Sequence, residues 1–144
     1  MQGSRLQGLA VKNFVSVAQT KQYMKSIKIV LLYGLLGGLS LIVIHFLEYK
    51  LYYIAGLLVP FVFLLIMWLA LRNMYKLTNS FNFALFYKIA ISVFVISYLI
   101  NIIFIVYSGS AFGNDIIAYL LVAIFGLISS YLITLVFKFW GISQ

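Results

Sequence analysis

The chain has 144 residues, 65% of them hydrophobic, 18% aromatic and 8% charged, with a mean hydropathy of +1.15. A soluble domain is about 45–50% apolar and about 25% charged, so this composition places the chain in a bilayer and leaves no length for a separate soluble domain. The net charge of +8 is scattered at the edges of apolar stretches rather than gathered on one basic face, which argues against a nucleic-acid partner.

Residues 1–26 are polar with scattered apolar positions. Leu6, Leu9, Ala10, Phe14 and Val17 fall on one helical face, which predicts an amphipathic helix lying on the cytoplasmic leaflet. Lys21 intrudes on that face, and Val11 and Val15 point away from it. The long apolar stretch begins too late for a signal peptide, and no small-residue cleavage site follows it. Met24 offers an alternative start, which would make residues 1–23 an upstream extension.

Four apolar stretches follow, at residues 29–47, 51–71, 86–107 and 116–137. Each approaches the ~20 residues that a crossing helix needs. Runs such as FVFLLIMWLAL do not alternate as barrel strands do, and backbone groups in lipid must be satisfied within the segment. The expected fold is all-α, a four-helix transmembrane bundle over residues 27–144. The expected connections are Glu48 to Lys50, Arg72 to Leu85 and Ser108 to Asp115, with Asp115 as N-cap of the fourth helix.

The first span reads LLYGLLGGLSLIVIHF, with Gly34, Gly37 and Gly38. Gly34 and Gly38 form a small-xxx-small pair, which lets helix backbones approach where lipid supplies no hydrophobic drive. The partner of this face is either another helix of the chain or another subunit. The same stripe continues to Leu41 and His45, with Glu48 three residues on; these two form a possible polar site at the span edge. Without metal-ligand clusters or cysteine, neither a metal nor a cofactor is expected.

Pro60 in the second span leaves the Gly56 carbonyl without its helical donor and predicts a kink. The third span aligns Ala90, Phe94, Ser97 and Asn101, the last the most polar uncharged residue well inside a span. The fourth aligns Ala123, Gly126, Ser130 and Thr134. Gly34, Gly38, Gly126 and Ser130 are therefore the expected packing residues, and His45, Glu48 and Asn101 the candidate polar ones.

Nine basic residues (Arg5, Lys12, Lys21, Lys25, Lys28, Arg72, Lys76, Lys88 and Lys138) fall on one predicted side, while Lys50, Glu48 and Asp115 fall on the other. The positive-inside rule then puts both termini in the cytoplasm. Tyr49, Tyr52, Tyr53, Tyr75, Tyr87, Tyr107 and Trp140 sit near the predicted interfaces. No span carries a central acid, and no serine has a histidine–acid pair within reach along a helix, so neither ion coupling nor enzymatic chemistry is expected.

The stretch KIVLLYGLLGGLS and the loop RNMYKLTNSFNFALFYKIAIS resemble those of a family of small four-span bacterial inner-membrane proteins with no assigned activity. The similarity covers about Met24 to Tyr107. This chain departs from that family in its shorter first loop and its glycine-poor basic loop. Gly56, Pro60 and Phe63 followed by a basic loop resemble, more weakly, ATP-synthase-associated assembly proteins, and the four-span plan is similar to that of lipid-linked-sugar flippases. These resemblances imply a bacterial inner membrane and no catalytic residues. The expected role is a non-enzymatic accessory or assembly subunit whose partners are the bilayer and other membrane-protein subunits. The alternative is a homodimeric transporter or flippase.

Overall fold

The computed structural model describes the backbone of residues 3–51, 54–108 and 116–142, and the side chains of all of these except 3–19, 21, 45, 48–51, 54–58 and 116–119. Among the described residues every regular element is helical: α1 (Gly3–Leu51), α2 (Ile54–Thr78), α3 (Phe83–Tyr107) and α4 (Ile116–Val136), the last continued by a π-helical turn over Phe137–Gly141. Four stretches within them are long and apolar enough to cross a membrane: Gln22–Ile44, Val59–Thr78, Phe83–Tyr107 and Leu120–Gly141. The chain is an integral, multi-pass helical protein.

The α2–α3 hairpin is the centre of the arrangement. α1 packs along both of its helices on one side, and α4 packs on the other. The connection is much shorter than the expected loop of residues 72–85, because RNMYKLT continues the helix. Leu71 and Met74 keep to the buried face of α2, while Arg72, Lys76 and Leu77 stay outside. α2 stops where Asn79 adopts a left-handed φ of 49°, with its N–H on the Tyr75 carbonyl at 2.8 Å. Asparagine tolerates this helix-ending conformation better than most residues. Three residues later Asn82 caps α3, its Oδ1 accepting the Leu85 N–H at 3.2 Å. Both ends of the turn are therefore closed by asparagine.

α1 runs unbroken through residue 26, so the expected boundary between a surface helix and the first span is not a break in the helix. Its 49 residues extend about 74 Å at the usual rise, more than twice the ~30 Å hydrocarbon thickness. The last span also ends later than expected. It reaches Gly141 rather than residue 137, through a turn that widens from α to π geometry.

The glycine face of α1 meets α3 of the same chain. A Cβ at Gly34 would lie 2.7 Å from Ile96 Cβ, and one at Gly38 would lie 2.7 Å from Ile100 Cβ. A change of rotamer cannot move a β-carbon, so either substitution forces the helices apart. The matched order of these contacts makes α1 and α3 parallel. On the far side, Phe94 of α3 places its ring over Gly126, where an added Cβ would fall 1.9 Å from the ring. Phe94 also packs on Phe63 of α2, with ring centres 5.4 Å apart. On the α3 and α4 stripes, Ala90, Phe94 and Ser97, and Gly126, Ser130 and Thr134, are buried, while Asn101 and Ala123 are half-buried.

Gly38→Leu is expected to lower bundle stability by about 1–3 kcal/mol, the usual cost of overpacking, with membrane insertion intact. Unfolding in detergent measures this against Leu39→Ala, an exposed change on the adjacent position expected to stay within about 0.5 kcal/mol.

Candidate functional site

Polar groups inside the spans make up the candidate site, and most of them are spent on the bundle itself. Ser97 is fully buried, and its single hydroxyl proton lies between two carbonyls, Val93 at 2.8 Å on its own helix and Gly34 at 3.0 Å on α1. Gly37 makes room for it: a Cβ there would stand 2.1 Å from Ser97 Oγ. The sequence singles out the Gly34–Gly38 pair by spacing, yet Gly37 is the position that lets a hydroxyl bridge the two helices. A serine on the facing stripe of α3 was the available signal.

Ser130 donates to the Gly126 carbonyl at 2.7 Å and touches Met67 Sδ of α2 at 3.5 Å. Thr134 donates to the Ser130 carbonyl at 2.7 Å. These hydroxyls satisfy themselves on carbonyls one turn back, a common arrangement for serine and threonine in membrane helices. Both are fully buried groups of small volume.

Asn73 was expected in a loop. It lies instead on α2, partly buried, and its side-chain amide donates to the Tyr33 hydroxyl of α1. This polar link joins α1 to α2 near the end where Lys25, Lys28, Arg72, Lys76 and Lys88 are all exposed. Extending the helical spacing of Ala70, Leu71 and Met74 would have placed Asn73 on the helix.

The remaining candidates are Asn101, Pro60, His45 and Glu48. Asn101 is half-buried at the opposite end of α3. Pro60 lies within α2, and the helix continues through it. The side chains of His45 and Glu48 lie outside the described residues, as do the Asp115 cap and the turn before it. Among the described residues no three His, Cys, Asp or Glu side chains gather.

An aromatic cluster at the basic end escapes sequence reading altogether. Phe137, fully buried, sits 5.0 Å from Trp68, 5.7 Å from Phe86, 6.1 Å from Tyr75 and 6.4 Å from Phe81, centre to centre. The π turn carries this ring under the α2–α3 connection. Gly141 leaves space for it, since a Cβ there would stand 2.4 Å from the ring. Tyr75, expected as an interfacial anchor, is partly buried in this cluster, whereas Tyr107 and Trp140 are exposed as anchors should be.

Phe137→Ala is expected to cost about 3–5 kcal/mol of unfolding free energy and to loosen the basic end first, seen as faster hydrogen exchange at Asn79 to Phe86. For the Asn73–Tyr33 pair, a double-mutant cycle with Asn73→Leu and Tyr33→Phe is expected to return about 0.6 kcal/mol of coupling, the average for such bonds in membranes.

No family model, curated protein or solved structure matches the chain.

Proposed function

We propose that the protein is a non-enzymatic accessory or assembly subunit of a larger membrane-protein complex, seated in a bacterial inner membrane with both termini in the cytoplasm. The observation that carries this reading is the filled interior. Phe63, Met67, Leu71, Phe86, Val93 and Phe94 occupy the space between the helices, and the buried hydroxyls of Ser97, Ser130 and Thr134 are committed to backbone carbonyls. A solid core of this kind suits a protein that acts through its outer faces. The orientation rests on the basic end, where Lys25, Lys28, Arg72, Lys76, Lys88 and Lys138 are exposed.

The length of α1 supports the same reading. It starts at Gly3 and runs without a break into the apolar stretch at residue 29. A polar helical segment ahead of a span gains most of its stability by packing on something else. A partner subunit or the leaflet surface would provide that support.

The alternative, a homodimeric transporter or flippase, draws on Asn101, a half-buried amide inside a span. Its path would run between two copies, with His45 and the Pro60 turn beside it.

Native mass spectrometry of the protein extracted gently from its own membrane decides between them. Stoichiometric partner subunits are the expected result. A bare monomer or homodimer overturns the accessory reading, and solute or lipid flux in liposomes that stops with Asn101→Leu would then establish the alternative.

A further inference from the structure

Between α1 and α3 at the basic end lies an open groove of about 580 Å³. We propose that it seats one anionic phospholipid, with the phosphate on Lys88 and an acyl chain running inward between the two helices. Three features of the groove carry this.

The first is its graded lining. At the basic end it is bounded by Tyr23, Ser26 and Lys88 with Leu85 beside them; further along the helices it is bounded by Val30, Val95 and Ile96, with Ser92 as one polar residue between the two parts. Because α1 and α3 are parallel, polar and apolar ends coincide on both walls. An amphiphile with a charged head and a hydrocarbon tail fits that order. Ser26 Oγ is already donating to the Tyr23 carbonyl at 2.7 Å, so the head-group donors are the Lys88 ammonium and the Tyr23 hydroxyl.

The second is its length. The α3 wall runs from Leu85 to Ile96, about 16 Å of helix. Half the hydrocarbon thickness is about 15 Å. The groove therefore extends through one leaflet and stops, and the stop has a cause: Gly34 packs directly on Ile96 and shuts the space between the helices.

The third is charge. Lys88 lines the groove, while the chain's two acids are remote from it in sequence, Glu48 near the far end of α1 and Asp115 after α3. A head group with net negative charge is favoured over a zwitterionic one in such surroundings.

The test is lipid retention by the purified full chain in native mass spectrometry, after exposure to phosphatidylglycerol or to phosphatidylcholine with the same acyl chains. One phosphatidylglycerol per chain is expected to be retained, in preference to phosphatidylcholine. Lys88→Gln should weaken it about fivefold, the worth of one cation beside an anionic head group. Val95→Trp, which fills the acyl path, should displace both lipids, whereas Leu99→Trp, exposed on α3 beyond the groove, should leave retention unchanged. Lys88 and Val95 are both exposed, so these variants keep the bundle's core. Equal retention of the two lipids, or phosphatidylglycerol binding unmoved by Lys88→Gln and Val95→Trp, overturns the site.

Discussion

The close approach of α1 to α3 sets the geometry of the whole bundle. In lipid, helices gain little by hiding apolar surface from each other, so contact depends on how near the backbones can come. Gly34, Gly37 and Gly38 remove the side chains that would hold α1 away, and Ile96, Ser97 and Ile100 fill the space. Because those positions match in order, α1 and α3 must run parallel, and α2 must return between them in sequence. The Ser97 hydroxyl bridging to the Gly34 carbonyl adds direction to what is otherwise a van der Waals contact.

The same device is used with opposite sense on the other side of the hairpin. Where α1 offers small residues to branched ones on α3, α4 offers Gly126 to the Phe94 ring. A large knob in a glycine hole fixes depth and register in one contact, whereas a row of glycines fixes separation along a length. α3 is the helix that takes part in both, which explains why its buried stripe mixes Ala90, Val93, Phe94 and Ser97 rather than repeating one size.

Much of this was legible. Apolar length located four spans, and the periodicity of small residues picked out the buried faces of α1, α3 and α4. Three features were not legible, each for a physical reason. The α2–α3 turn is compact because polar residues such as Arg72, Asn73 and Lys76 continue a helix as well as apolar ones do, so a fall in hydropathy marks the membrane edge and not the helix end. Gly37 departs from the four-residue spacing, and its importance depends on which residue of α3 stands opposite. The Phe137 cluster joins residues from α2, the turn, α3 and the chain's last turn, and no pattern along one helix encodes it.

The parallel pairing of α1 with α3 also has a consequence in time. Ser97 follows Gly34 by 63 residues, which at ribosomal rates of about 5–20 residues per second amounts to roughly 3 to 13 s. For that interval α1 is in the membrane with its glycine face bare, and α2 alone cannot cover it in the same way. A newly made chain therefore passes through a state in which its glycine face is open to any neighbouring helix with complementary side chains. Completion of the hairpin closes that window, making the arrival of α3 the event that commits the chain to its own fold.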